Sequence, residues 1–230
     1  MRKEILRFSY EKLFQSTDFW KQIKQLNINV DFLEARRFFA TCRPIRGMML
    51  SYERKDVEQG LVRIQENQII LSDVSLTCDV LKEFASFPIK SAMAYLISCS
   101  PDSYENYGAG ELNYHFIQNA CMDRVRNLMM QNFRMFVKKE YETEDSICFS
   151  KGVGPGYFGM PMTEGKKIYT LLHGEEIDVF YKGEMMYPLK STIGAMFSYK
   201  AEEPLKLDPC AYCQAAAKDC RYCGEYKNIP

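Results

Sequence analysis

"GELNYHFIQNACMDRVRNLMMQNFRMFVKK" (residues 110–139) carries the strongest periodic signal in the chain. Phe116, Ile117, Cys121, Val125, Leu128, Met129, Phe133, Phe136 and Val137 recur at three- and four-residue steps, which places them along one broad apolar stripe of a long α-helix. A stripe so rich in Met and Phe reads as core. His115, alone near its start, reads as a satisfied or partly exposed histidine rather than a ligand.

The flanking sequence alternates less regularly. Upstream, residues 2–14 and 18–26 read as short amphipathic helices, and "RRFFATCRPI" (36–45) as a strand. "GLVRIQENQIILS" (60–72) reads as a hairpin about Glu66-Asn67, and Asp73 opens a helix running to Phe84. "IKSAMAYLISCS" (89–100) is a buried strand. Downstream, "SICFS" (146–150) is a short strand, and Thr163 caps a helix to about Leu172 that Gly174 ends. "IDVFY" and "EMMYPLKS" form a strand pair turned at Lys182-Gly183, followed by the strand "IGAMFSY" (193–199). Without a βαβα alternation, the class is α+β.

Composition narrows the functions. The chain has 230 residues, 47% hydrophobic and 26% charged, with Lys+Arg and Asp+Glu both 30. That is enough for a sizeable core, and zero formal charge offers no field to draw nucleic acid or a membrane surface. "MRKEILRFSYEKLF" lacks the apolar run of a signal peptide or membrane span, so a cytoplasmic setting is expected. The nine cysteines then read as thiols or metal ligands rather than disulfides. Cys42, Cys78, Cys99, Cys121 and Cys148 sit in apolar surroundings as inert buried thiols.

Two stretches could carry chemistry. "FSKGVGPGYFGMPMTE" (149–164) concentrates glycines and prolines around Tyr157 and Phe158, just before a helix. Its GPGYFG matches GxGxxG formally, but Met160-Pro161-Met162 separates the glycines from the helix and Pro155 removes an amide donor, so a dinucleotide site is rejected. What remains is a stiff loop that lets a flat ligand approach main chain, with Tyr157 offering a π-face and a hydroxyl. A rigid crossover between strand and helix is an equal reading. The tail "CAYCQAAAKDCRYC" pairs Cys210 with Cys213 and Cys220 with Cys223, a set that suits tetrahedral sulfur ligation. The six-residue spacer is shorter than a zinc ribbon's and leans toward an iron–sulfur cluster over zinc. The polar residues 201–209, with two prolines, read as a linker. This gives a body at 1–200 and a linker with a Cys-rich tail at 201–230.

Several pieces together resemble the activation domain of cobalamin-dependent methionine synthase, in its stand-alone bacterial form. "RKEILRFSY" is similar to the family's start, and "AMAYLISCSPDSYENYGAGELNYHFIQNACMDRVRNLM" to its apolar strand and long helix. "GPGYFGMPMTEGKKIYTLL" resembles its Pro-Gly-Tyr loop and following helix, and "MMYPLKSTIGAMFSY" its Met-x-Pro-x-Lys-Ser region. The likeness covers most of the chain in order. It implies a curved antiparallel sheet with flanking helices, including one long central helix, and a groove for S-adenosylmethionine. Pro155, Gly156 and Tyr157 would hold that ligand, Gly159 would permit close approach, and Lys190 and Ser191 would border the groove. It further implies a corrinoid-dependent methyltransferase partner carrying cobalamin, and an electron donor such as flavodoxin or ferredoxin. The family usually has an arginine four residues before the glycine of Gly-Tyr, where it meets the ligand carboxylate; this chain has Gly152. The other reading is a non-catalytic zinc or iron–sulfur interaction module with a degenerate groove.

Overall fold

A computed structural model describes residues 1–15, 17–25, 32–40, 42–99 and 112–212. The chain begins with strand β1 (Arg2–Phe8), helices α1 (Tyr10–Phe14), α2 (Thr17–Gln25) and α3 (Phe32–Ala40), strand β2 (Ile45–Tyr52) and helix α4 (Arg54–Glu58). A three-stranded unit follows, β3 (Val62–Gln65), β4 (Gln68–Leu71) and β5 (Val74–Thr77), then a 3₁₀ helix (Asp79–Phe84) and strand β6 (Ile89–Ser98). After helix α5 (Leu112–Glu140) come β7 (Ile147–Phe149), α6 (Glu164–Leu172), the hairpin β8 (Phe180–Lys182) and β9 (Met185–Tyr187), and β10 (Ser191–Lys200). The fold is α+β. Its centre is a five-stranded sheet in the order β1–β2–β6–β10–β7, with every neighbouring pair antiparallel.

That sheet is covered on both faces, which is why β6 reads as an unbroken apolar run instead of an alternating one. Ala92, Ala94 and Leu96 face a core shared with β3–β5, α6, and Ile193, Ala195 and Phe197 of β10. Met93, Tyr95 and Ile97 point the other way, onto α5, α1, α2 and α3. The period-two alternation of side chains makes one strand serve two cores. On α5, Ile117, Cys121, Val125, Met129, Phe133 and Val137 are buried along the seam against the sheet. Each such side chain contributes roughly 1.5–3 kcal/mol. Phe116, however, is 47% exposed and off that seam.

Three stretches form a different element from the one expected. Residues 2–8 form a strand, not a helix: Glu4, Leu6 and Phe8 are half-buried while Lys3 and Ile5 face out, a period of two beneath a dense charge pattern. Charges of this kind suit an edge strand, where they discourage pairing with other chains. The "RRFFA" stretch (36–40) ends a helix instead of forming a strand. Phe39 stacks on Tyr10 at 4.6 Å and Phe38 on Tyr114 at 4.2 Å, so adjacent rings pack on different partners around a helical face. The stretch after Asp73 is β5 and then a 3₁₀ helix, since Val74–Thr77 pairs with β4. The 62–71 hairpin, α5, β6, β7 and β10 form where expected. At the end of α6, His173 takes the left-handed conformation (φ 59°) in place of the glycine after it. The β8–β9 turn is Gly183-Glu184, one residue past the expected position.

The start of the segment read as a linker lies along the body. Ala201 N donates to Ser146 O, Leu205 N to Tyr199 Oη at 2.9 Å, and Tyr212 Oη to Glu83 at 2.9 Å. Cys213, Cys220 and Cys223, and the side chain of Cys210, lie outside the described residues.

Candidate functional site

The glycine loop is built outward from β7. Ser150 and Phe197 exchange hydrogen bonds through the Ser150 amide and hydroxyl, and Val153 and Ala195 exchange both main-chain bonds at 2.8 Å. The loop's first half is thus laid on the edge of β10. Two glycines allow this. A Cβ at Gly154 would stand 2.7 Å from Ile193 O, and one at Gly194 2.5 Å from Val153 O. The closeness that the sequence reserves for a ligand is used here, in part, for the protein's own backbone.

Beyond Pro155 the chain doubles back. Tyr157 N donates to Gly154 O, Met160 N to Tyr157 O and Gly156 N to Met160 O, each at 2.9–3.0 Å. Gly156, Phe158 and Gly159 all take positive φ (81°, 56° and 79°). That succession throws Tyr157 outward and Phe158 inward. Underneath, Phe158 O accepts from Val80 N and from the Cys78 thiol, both at 3.2 Å. Gly159 is buried against Asp79, whose Oδ2 lies 2.5 Å from where a Cβ would be. Its lack of a side chain therefore serves the loop's seat, not a ligand surface. The following helix is moored through Glu164, whose buried carboxylate accepts from Thr77 N at 3.3 Å and from Lys167 Nζ at 2.9 Å.

A groove of about 410 Å³ opens beside this loop. Pro155, Tyr157 and Met162 form one wall, and Tyr181, Met185 and Leu189 around the β8–β9 hairpin another. Ser191, Thr192 and Ile193 of β10, with Tyr95 and Gly152, complete the floor. Of the expected site residues, Pro155, Tyr157 and Ser191 meet here. Gly156 makes the turn that presents Tyr157. Lys190 does not line the groove: it is half-buried, its Nζ donates to His115 O at 2.9 Å, and burial pulls its ammonium below the ordinary lysine range. The Ser191 hydroxyl donates to Pro188 O at 2.7 Å and meets Ser98 Oγ at 2.9 Å, which fixes the β9–β10 corner.

Four lining residues had no signal in the sequence: Tyr95, Arg126, Tyr181 and Glu184. Among the described residues, Arg126 and Glu184 are the two charged groups of the lining. Burial pushes the Tyr95 phenol up to about 12, with the Arg126 guanidinium opposing part of that rise. Apart from these groups and the hydroxyls of Ser191 and Thr192, lining and rim are apolar and aromatic, which suits a small organic ligand held by a few polar contacts.

Cys78, Cys99, Cys121 and Cys148 are buried and outside any disulfide, as expected, and burial raises Cys78 and Cys99 to about 12. Cys42 is only partly buried, and its thiol donates to Phe38 O at 3.7 Å. Among the described residues no group of three or more His, Cys, Asp or Glu side chains could hold a metal ion, and no helix is long and apolar enough to cross a membrane. No protein-family model matches the chain, and no curated protein matches it.

Proposed function

We propose that this chain is an activation-type domain that binds S-adenosylmethionine in the groove beside Tyr157 and supports reductive remethylation of a corrinoid on a partner methyltransferase, most naturally a cobalamin-dependent methionine synthase. The observation that carries this reading is the groove's exposed apolar rim. Tyr157 and Met162 are each 69% exposed, Leu189 64% and Met185 55%, all around one opening. Side chains of this kind grouped at a groove mouth favour a site that a second surface covers.

The reaction needs little from the protein but position. One electron from a flavodoxin- or ferredoxin-type donor and the sulfonium methyl convert cob(II)alamin to methylcobalamin, releasing S-adenosylhomocysteine. This chain's residues would bind, orient and exclude water. Tyr157 and Tyr181 provide π-faces for a sulfonium, and Thr192 and Ser191 bring hydroxyls to the floor. The sheet curvature expected of such a domain belongs to the same proposal, as does a zinc ion or iron–sulfur cluster at Cys210, Cys213, Cys220 and Cys223.

Calorimetric titration with S-adenosylmethionine tests the groove. Binding with thermal stabilisation is expected; no heat and no stabilisation at millimolar ligand overturns the reading. Anaerobic purification and metal analysis test the tail. A brown protein absorbing near 400 nm marks a cluster, and a colourless zinc protein whose groove stays silent favours the interaction-module reading.

A further inference from the structure

We propose that Arg126, on α5, is the carboxylate anchor of the groove, delivering from the helix the charge that the loop lacks at Gly152. This rests on the sulfonium-ligand reading above and deepens it: the ligand is held by its amino-acid end as well as by its ring and sulfonium.

Position is the first argument. Arg126, Tyr95 and Gly152 line the same groove, and among the described residues Arg126 is the one cationic side chain of that lining. A Cβ at Gly152 would stand 2.6 Å from the Met130 methyl and 3.5 Å from Tyr95 Oη. Met130 lies one helical turn beyond Arg126 on α5. The space through which a side chain at 152 would leave the loop is therefore occupied by the same helix face that carries Arg126. Loop and helix meet at one corner, and the helix fills it.

Availability is the second. The Arg126 guanidinium pairs with Asp123 at 3.1 Å, one turn back on the same helix, and the Asp123 side chain is 62% exposed. Such an exposed pair is weak. A guanidinium has five donors in a fixed fork, and a carboxylate arriving in the groove can take a bidentate share of them. The Tyr95 phenol, kept neutral by burial, belongs to the same lining.

The third argument is polarity. Glu184, in the β8–β9 turn, is the groove's one acidic group among the described residues, so that lining carries one charge of each sign between aromatic walls. This pattern selects a zwitterion with a flat apolar body.

The test compares S-adenosylmethionine with its decarboxylated form, which keeps the sulfonium and the amine, by calorimetry on the full-length chain. The parent should prefer the carboxylated ligand at least about tenfold, and Arg126→Gln should abolish that preference while leaving the decarboxylated ligand's affinity within about twofold. Arg126→Lys should keep part of it, since a point charge replaces a fork. Adding Gly152→Arg to Arg126→Gln should recover much of the loss, because Met130's flexible methyl can yield. A preference that survives Arg126→Gln overturns the assignment, and so does a parent that binds both ligands equally, the groove reading then standing without it. A parent that binds neither removes the groove reading and the anchor together. The parent's own preference needs no variant, so poor folding of Arg126→Gln cannot shelter the idea.

Discussion

The α5 seam and the groove rim are made of the same kinds of residue and treated in opposite ways. Along the seam Met129 and Phe133 are 0–1% exposed. Around the rim Met162 and Tyr157 are each 69% exposed. Methionine and aromatic side chains gain free energy from leaving water, so a protein that hides one set completely and leaves the other out has spent no stability on the second. The seam holds the fold. The rim waits for something else to cover it. Composition alone could not separate them, because the difference lies in what stands opposite each side chain.

The contrast can be attacked directly. The largest effect should come from Phe133→Ala: removing a buried ring from the seam is expected to cost about 3–5 kcal/mol in urea denaturation. A loss near zero would mean the seam is not the core it looks like. Next, Gly194→Ala forces a methyl toward Val153 O and Tyr95 Oη, 2.5 and 2.8 Å away, and should cost about 1–3 kcal/mol while weakening ligand binding by disturbing the floor. Tyr157→Ala should leave stability within about 0.5 kcal/mol and lower S-adenosylmethionine affinity roughly five- to tenfold, read by calorimetry. Equal affinity in that variant takes the ring out of the site. If the variant unfolds instead, the rim is core after all.

The smallest effect concerns the C-terminal end of α5. Glu140 Oε1 accepts from Arg54 N at 2.8 Å, whereas its Oε2 is buried without a hydrogen-bond partner among the described residues. Burial holds this carboxyl above the ordinary glutamate range, with the Arg54 amide pulling the other way. A group whose folded value is raised binds its proton more tightly when folded. Its contribution favours the fold below the ordinary value and is lost as pH rises through the raised one. Glu140→Gln should therefore flatten the fall of the denaturation midpoint as pH rises above the ordinary glutamate value of about 4.3, relative to the parent.

Much of the body was legible in the sequence because its signals are local. The α5 stripe, the 62–71 hairpin and the apolar runs of β6 and β10 each carry their own period. β1 was not, since an edge strand wears charges that imitate a solvated helix, and α3 was not, since paired phenylalanines imitate a strand. Of the groove, sequence reading reached Pro155 and Tyr157, where backbone irregularity marks the place. Arg126 and Tyr95 were out of reach because they come from α5 and β6: the pairing of β6 with β10 sets Tyr95 opposite Gly194, and the packing of α5 on the sheet brings Arg126 to the same groove.

The loop at 150–163 also fastens two layers together: one end is stitched to β10 through Val153 and Ala195, the other hangs from β5 through Glu164 and Thr77. A strap fixed at both ends tolerates no change of length, because an inserted residue would pull one anchorage loose. Divergence among descendants of this sequence should therefore proceed by exchanging the outward side chains at 157 and 162 over an unaltered main-chain path, and taste for a new ligand would be acquired without redrawing the scaffold.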